Sequence, residues 1–125
     1  MICFILLFQV FVYANSTSTG GYTSGSQGTS YVTATLKCQD QWWPLTDYGY
    51  ATTESTKHVY LSVYLTVYSE GATTYGSNSG SDITEITIRV FTPGPATEGT
   101  SGSSSHYQIS ADWGNWNASL NTTFH

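Results

Sequence analysis

Basic residues are the scarcest feature of this 125-residue sequence, because only Lys37, Lys57 and Arg89 are basic and charged residues make up 9% of the chain. Three scattered cations cannot form the basic patch that binds a phosphate backbone. They also cannot form a cationic helix on anionic lipid. With a formal net charge of −5, the sequence predicts no nucleic-acid partner, and no membrane partner after cleavage of the N-terminal segment described below.

Cysteine is also scarce, since the chain contains only Cys3 and Cys38. If the N-terminal segment is removed, Cys38 stands alone and no internal disulfide can form. A chain of about 110 residues can bury a workable core without such a crosslink. The strand pattern around Cys38 predicts a buried thiol that packs as a small hydrophobic group, with an intermolecular disulfide as the alternative.

Sequence motifs for catalysis or metal binding are lacking. The three histidines, His58, His106 and His125, show no metal-ligand spacing. The segment 78–82 has oxygen donors around a glycine but lacks the acidic alternation of a calcium loop. No Gly-x-Ser-x-Gly elbow is present, and nothing in the spacing brings His106, Asp112 and a serine together. We therefore predict no enzyme, no catalytic residue, no metal and no cofactor.

The only long apolar run is residues 1–14. It is shorter than the roughly 20 residues that span a bilayer as a helix and fits the apolar region of a secretory signal peptide, with cleavage after Ala14. No Lys or Arg precedes it, so either the true start lies upstream or the signal is atypical. A retained anchor or a buried strand is the alternative. Residues 15–29, rich in Ser, Thr and Gly, are expected to form a flexible leader. Residues 30–125 are then one secreted domain.

Alternation of side chains is the strongest pattern that is present. Between Lys57 and Ser69 the odd positions 59–67 are Val or Leu, while the even positions are His, Tyr, Ser or Thr. Side chains on a strand point to opposite faces in turn. The pattern therefore predicts a long strand with an aliphatic face and a tyrosine face.

Weaker alternation predicts further strands. Residues 30–38 place Val32, Ala34, Leu36 and Cys38 on one inward face. Residues 70–82 are rich in turn formers and are predicted to form a long hairpin loop. Residues 83–92 form the return strand, with a bulge or face switch near Thr84 and near Phe91.

The last hairpin is predicted around Gly114-Asn115 as a two-residue type II′ turn. Such a turn pairs residues at equal distances before and after it: Trp113 with Trp116, Ala111 with Ala118, Ile109 with Leu120, and Tyr107 with Thr122. The polar residues His106 and Gln108 fall on the opposite face. An isolated sheet cannot bury its aliphatic face, so we predict an all-β fold, a small two-layer antiparallel β-sandwich, with a small closed or partly open β-barrel as the alternative.

Aromatic side chains supply the candidate binding residues. Tyr60, Tyr64 and Tyr68 recur every fourth residue on one strand face, and a second group lies around Pro44. Such rows can stack against sugar rings, although tyrosine is also favoured on half-exposed sheets for packing alone. The predicted ligand-binding residues are Trp42, Trp43, Tyr48, Tyr50, Tyr60, Tyr64 and Tyr68.

These features favour a secreted, non-enzymatic domain whose exposed aromatics bind an extracellular glycan, a cell-surface protein or a second copy of the chain. One alternative is a bacteriocin-like or toxin-like factor acting on other cells. Another is a structural or self-assembling surface protein. A signal-like start followed by a Ser/Thr/Tyr-rich domain with late tryptophans resembles, in composition, small secreted proteins of Gram-positive bacteria, bacteriocin-like ones among them.

Overall fold

The computed structural model describes residues 13–41, 46–69, 71–93 and 100–124. These residues form six strands: β1 Tyr13–Gly25, β2 Gly28–Asp40, β3 Tyr48–Ser69, β4 Ala72–Phe91, β5 Ser101–Ile109 and β6 Trp116–Thr123. None of the described residues forms a helix long and apolar enough to cross a membrane. The chain is therefore all-β over its described length, as the sequence predicts.

All six strands belong to one antiparallel sheet with the order β1-β2-β3-β5-β6, in which β4 also pairs with β3. The 22 residues of β3 form the spine of this sheet. Its first part pairs with β2 between Tyr48 and Ser55, and its second part pairs with β5 between Tyr60 and Tyr68. Strand β4 accompanies β3 along both parts. Strands β3 and β4 thus run through both halves of the fold.

The two halves are joined at a register shift in the β3–β4 ladder between Glu54 and Leu61. On β4 this shift separates Ile83 from Glu85, so the predicted bulge near Thr84 is confirmed. No shift occurs at Phe91, which continues the ladder opposite Tyr48 and simply points outward. Bulges increase twist and bend a strand, and here the bend turns the sheet back over itself.

We call the two halves the first layer and the second layer. The first layer contains β1, β2, residues 48–54 of β3 and residues 85–91 of β4. The second layer contains residues 59–69 of β3, residues 72–83 of β4, β5 and β6. Their inner faces meet: a Cβ atom built on Gly49 in the first layer would lie 3.1 Å from Val67 and 3.3 Å from Leu65 in the second.

Side-chain hydrogen bonds draw the sheet edges together at two seams. At the first seam, Asn15 Nδ2 of β1 donates to the Thr123 carbonyl of β6 at 2.8 Å. At the second, the two parts of β4 meet: Thr74 Oγ1 donates to the Phe91 carbonyl at 2.9 Å, and Asn78 Nδ2 donates to the carbonyl of residue 87 at 3.0 Å. The sheet is consequently nearly closed, like a flattened barrel, which combines the predicted sandwich and its barrel alternative.

The core lies between the layers and contains the predicted aliphatic faces. It is formed by Ala34, Leu36, Cys38, Ala51, Val63, Leu65, Val67, Val90, Leu120 and Phe124. Val63 is fully buried and Leu65 is 1% exposed. The alternation predicted for β3 is confirmed, because its odd positions from Val59 to Val67 are buried. The inward face predicted for β2 is also confirmed, because its even positions from Val32 to Cys38 are buried.

Two predicted loops are strands instead. Residues 15–25 of the expected flexible leader belong to β1, which pairs with β2 from Tyr13↔Asp40 to Gly25↔Gly28. Most of the expected loop 70–82 belongs to β4, which begins at Ala72 opposite Ser69. Polar turn-forming residues occupy both strands because backbone pairing to a neighbouring strand satisfies their amides while their side chains stay largely exposed. Of the predicted signal peptide, residues 1–14, the first twelve lie outside the described part of the chain, and the last two belong to β1.

The predicted register of the last hairpin is wrong. Gln108, rather than Trp113, pairs with Trp116, so a longer loop replaces the two-residue turn. Within it, the Gly114 amide donates to the Ser110 carbonyl at 2.8 Å. The loop is also held by the β1–β2 turn, since the Gln27 amide donates to the Asp112 carbonyl at 2.8 Å. Tertiary contacts that the local pattern does not encode therefore set the register.

This register reverses the expected orientation of β5. His106 and Gln108 point into the interior at 0% and 1% exposure, while Ile109 is 55% exposed. On β6 the expected inward side chains do face the core, with Leu120 buried and Trp116 packed against the cluster. The shift by an odd number of residues exchanges the faces of one strand relative to the other.

Core packing can be tested by truncating Leu65. We expect Leu65→Ala to lower the free energy of unfolding by about 2 to 5 kcal/mol, because it removes a buried side chain and leaves a cavity. The matched control is Tyr75→Ala, a larger truncation at a side chain that is 81% exposed, which should change stability by less than about 1 kcal/mol. Urea denaturation of both variants measures the difference, and equal costs would contradict the described core.

The loop after β5 can be tested at Gly114, whose φ is +99°. A Cβ atom there would lie 2.6 Å from the Ser24 carbonyl oxygen, so Gly114→Ala should cost roughly 2 to 5 kcal/mol from backbone strain and overpacking. Gly71 also has a positive φ, +75°, but has nothing within 4 Å of that position. Gly71→Ala should therefore cost only about 1 kcal/mol in the same urea titration.

Candidate functional site

The predicted aromatic residues do not form a single site. Tyr60, Tyr64 and Tyr68 lie on the outer face of the second layer, whereas Tyr48 and Tyr50 lie on the outer face of the first. Trp42 and Trp43 fall outside the described residues. The described members of this set therefore lie on two separate surfaces, one on each layer.

The second layer contains one charged residue in its described strands, Asp82, which lies at the register shift and has a side chain that is 90% exposed. The paired positions of its outer face carry no charge. Cross-strand pairing assigns 18 residues of four strands to it, and all of them are Tyr, Ser, Thr, Asn or Ile. They are Thr73, Tyr75, Ser77, Ser79, Tyr60, Ser62, Tyr64, Thr66, Tyr68, Ser101, Ser103, Ser105, Tyr107, Ile109, Asn117, Ser119, Asn121 and Thr123. We call this surface the tyrosine face.

The aromatic rings of the tyrosine face are accessible. Tyr64 is 52% exposed, Tyr68 47% and Tyr75 81%. The Tyr64 and Tyr107 rings meet edge to face, with centroids 5.9 Å apart and planes at 87°, so each ring limits the motion of the other. Rings held in this way offer flat apolar surfaces beside hydroxyl groups that can donate or accept hydrogen bonds.

Two shallow grooves run on either side of β3 on this face. One, of about 360 Å³, is lined by Tyr64, Leu65, Thr66, Tyr75, Gly76 and Ser77. The other, of about 330 Å³, is lined by Tyr68, residues 101–103 and residues 121–123. Each groove thus combines at least one tyrosine ring with several small hydroxyl or amide side chains, a combination that suits a neutral polar ligand.

Tyr75, Tyr107 and Ile109 are members of the tyrosine face that the sequence-based prediction missed. Tyr75 pairs across the ladder with Thr66, because β4 already begins at Ala72, opposite Ser69. The Glu70-Gly71 pair, read as a short hairpin turn, is the signal that identifies this position. For Tyr107 and Ile109 the sequence has no such signal, because their exposure depends on the register of the last hairpin.

The first layer presents a different outer surface. The Arg89 guanidinium carbon lies 4.5 Å from the Tyr48 ring centroid and 5.6 Å from that of Tyr50. The Tyr48 ring also meets Phe91 edge to face, with centroids 5.8 Å apart. Tyr48 and Tyr50 are therefore partly occupied by a cation, whereas no cation of the described chain lies over a ring of the tyrosine face.

A buried polar cluster lies between the layers, beside the apolar core. His106 Nδ1 is 2.8 Å from Thr53 Oγ1, and His106 Nε2 is 2.7 Å from Ser104 Oγ. Ser104 and His106 superficially resemble a nucleophile and its base. Ser104, however, is 2% exposed and His106 is fully buried, so this pair is sealed from solvent in the structure and offers no approach to a substrate.

Gln108 extends the same cluster. Its Oε1 accepts a hydrogen bond from Ser55 Oγ at 2.6 Å, and its Nε2 donates to Ser30 Oγ at 3.0 Å and to the Gly114 carbonyl at 2.8 Å. Among the described residues, no buried side-chain nitrogen or oxygen lacks a partner. The cluster is thus fully hydrogen-bonded, which is the condition for burying polar groups at small cost.

The remaining candidate groups do not converge on a site. Cys38 is a free, buried thiol, and burial raises its pKa to about 12, which disfavours the reactive thiolate. Within the described ranges, no three His, Cys, Asp or Glu side chains are grouped so that they could hold a metal ion. Asp112 lies on the surface loop near Ser26, whereas both ring nitrogens of His106 are engaged by Thr53 and Ser104.

No protein-family model matches the chain, and searches of curated proteins and of solved structures return no match. Functional inference consequently rests on the described surfaces.

Burial of His106 predicts a pH-dependent stability. Desolvation lowers the pKa of His106 from 6.5 to about 4, so between these values the unfolded chain binds a proton that the folded chain does not. The free energy of unfolding should therefore fall as the pH drops from about 6.5 to 4, by at most about 3 kcal/mol from this group. Urea titrations at several pH values measure this slope.

The variant His106→Gln isolates this contribution because an amide does not titrate. We expect it to have a smaller slope than the wild-type protein between pH 6.5 and 4, whatever its absolute stability. His58→Gln is the comparison, because it removes an exposed histidine instead of a buried one, and the slope should fall more in His106→Gln than in His58→Gln. Identical slopes for the wild-type protein and His106→Gln would contradict a neutral, buried His106.

Proposed function

We propose that this protein is a secreted, non-enzymatic binding domain that recognises a neutral extracellular glycan through its tyrosine face. The observation that carries the proposal is the composition of that face, in which exposed tyrosine rings alternate with hydroxyl and amide side chains and none of the 18 paired residues is charged. The proposal that the protein is secreted rests on residues 1–14, whose sequence resembles a signal peptide.

A sugar matches this surface chemically. The C–H face of a pyranose ring is apolar and packs on an aromatic ring, while its hydroxyl groups exchange hydrogen bonds with Ser, Thr and Asn side chains. An anionic or cationic ligand would gain no complementary charge on this face and would lose part of its hydration. The absence of charge therefore supports a neutral ligand over a charged one.

The shape of the face supports an extended ligand. The grooves beside β3 are shallow and lie on opposite sides of a row of tyrosines that the strand spaces at about 13 Å for every four residues. Tyr75 sits beside this row, opposite Thr66 between Tyr64 and Tyr68. A chain of several sugar units can contact more than one ring at once, whereas a single sugar would leave most of the face uncovered.

A second copy of the chain is the alternative partner for the same face. Tyrosine and serine are also the residues that antibody paratopes use to bind proteins. Edge-to-edge assembly is less favoured, because the outer strands β1 and β6 contact each other and the two parts of the third edge strand, β4, also contact each other. Sizing chromatography separates the alternatives, since the glycan-binding proposal expects a monomer whose binding responds to added saccharide.

Binding should depend on Tyr64 and Tyr75. We expect Tyr64→Ala and Tyr75→Ala each to weaken binding of a neutral oligosaccharide about fivefold, since an aromatic contact contributes on the order of 1 kcal/mol. Binding is measured by isothermal titration after a screen of neutral glycans and cell-wall polymers. The matched control is Tyr22→Ala, because Tyr22 is also 81% exposed but belongs to the first layer.

Two results would count against the proposal. One is the absence of binding to every neutral saccharide in the screen at millimolar concentration. The other is an equal loss of affinity in the Tyr22 control, which would show that exposed tyrosines bind sugars without regard to the face that carries them. Growth inhibition of other cells by the purified domain would instead favour the toxin-like alternative.

A further inference from the structure

We infer that the outer face of the first layer is a second binding surface, specific for a carboxylate-bearing saccharide. Two of the three basic residues of the chain lie in one cross-strand row there: Lys37 of β2 pairs with Tyr50 of β3, and Tyr50 pairs with Arg89 of β4. With strands about 4.8 Å apart, the two basic residues are roughly 10 Å apart across the tyrosine.

Neither basic residue is neutralised within the described chain. The ion pair found among those residues joins His58 and Asp82, and neither Lys37 nor Arg89 has a side-chain hydrogen bond. The acids of the same face, Glu54 and Glu85, lie opposite each other on β3 and β4. They are four residues along these strands from Tyr50 and Arg89. In a protein of net charge −5, two neighbouring cations without an acidic partner create a local anion-attracting surface.

Arg89 is held in place for such a contact. Its guanidinium lies over the Tyr48 ring at 4.5 Å and near the Tyr50 ring at 5.6 Å. A stacked guanidinium has lost much of its rotational freedom before a ligand arrives. Its five N–H donors make no hydrogen bond within the described chain, so they can form the two parallel hydrogen bonds that a carboxylate accepts.

The aromatic neighbours favour a saccharide over a peptide as the carrier of the carboxylate. Phe91 is 50% exposed and adjoins Tyr48, so a sugar ring whose acid group binds Arg89 can pack against an aromatic ring. Peptides that bind sheets usually add to an open strand edge. Here the strand edges contact each other, β1 with β6 and the two parts of β4 with one another, and the cationic row crosses the outer face from β2 to β4.

The test is titration of the full domain with a trimer of galacturonic acid at low ionic strength, with a trimer of galactose as the uncharged comparison. We expect the acidic trimer to bind more tightly. Arg89→Gln should weaken its binding about tenfold or more and Lys37→Gln about threefold to tenfold, as expected for charge-assisted hydrogen bonds and a nearby cation. Added salt should weaken binding of the acidic trimer to the wild-type protein.

The chain supplies a matched control in its third cation. Lys57 lies over the Trp113 ring at 4.4 Å, away from the row, and Lys57→Gln changes the net charge by the same amount. It should bind the acidic trimer within twofold of the wild-type protein. Equal losses in all three variants, or no loss in Arg89→Gln, would overturn the inference, as would failure of the wild-type protein to bind the acidic trimer at millimolar concentration.

Two further arms keep this inference separate from the neutral-glycan proposal. Tyr64→Ala should leave binding of the acidic trimer unchanged, because Tyr64 belongs to the other layer, and a loss there would overturn the assignment to the first layer. The choice of a saccharide would be overturned if a tri-glutamate peptide bound more tightly than the acidic trimer and Arg89→Gln abolished binding of that peptide. Thermal unfolding of each variant shows whether a loss of binding reflects a loss of fold.

Discussion

The structure depends on one constraint: the aliphatic face of strand β3 has to be covered by other parts of the same chain. The aliphatic stripe of β3 needs a cover, and the bend between Glu54 and Leu61 brings β2 and the early part of β3 over the later part. Leu36 and Ala51 in one layer and Val63 and Leu65 in the other then share a single core. Because side chains alternate, burying this stripe forces the tyrosines of the same strand outward.

The bend also separates two chemistries along one pair of strands. On the first-layer side of the bend, β3 and β4 carry Tyr50, Glu54 and Arg89 on their outer face. On the second-layer side, the paired residues of their outer face are Tyr, Ser and Thr. Most charges of the sheet surface thus lie on the first layer, whereas the tyrosine face of the second layer is uncharged. A flat sheet would have presented both groups on one continuous surface, so the same bend that closes the core also creates two distinct candidate surfaces.

Much of the fold follows from alternation in the sequence, because alternation reports which face is buried. The inward residues of β2 and of the later part of β3, the all-β class and the bulge near Thr84 are all predictable in this way. The candidate site was only partly predictable, since Tyr64 and Tyr68 are exposed as expected, whereas Tyr75 was assigned to a loop. Ser, Thr and Gly in β1 and β4 favour turns locally, and only pairing with a partner strand overrides that preference.

The orientation of β5 shows why the remainder could not be predicted. Local rules favoured a tight turn at Gly114 and an outward His106, yet the backbone of the β1–β2 turn binds the loop at Ala111 and Asp112 and fixes another register. This register is compatible with burial only because Thr53 and Ser104 bond both nitrogens of His106, and Ser30 and Ser55 bond Gln108.

Those hydrogen-bonding partners come from β2, β3 and β5, so the polar cluster forms only when both layers are assembled. In the register predicted from the turn, His106 and Gln108 would face solvent instead, and a buried polar group without a partner costs about 1 to 3 kcal/mol. Apolar packing alone tolerates small displacements of one layer over the other, whereas this hydrogen-bond network does not. The cluster therefore selects one alignment of the layers, and this alignment keeps Tyr107 on the outer face beside Tyr64.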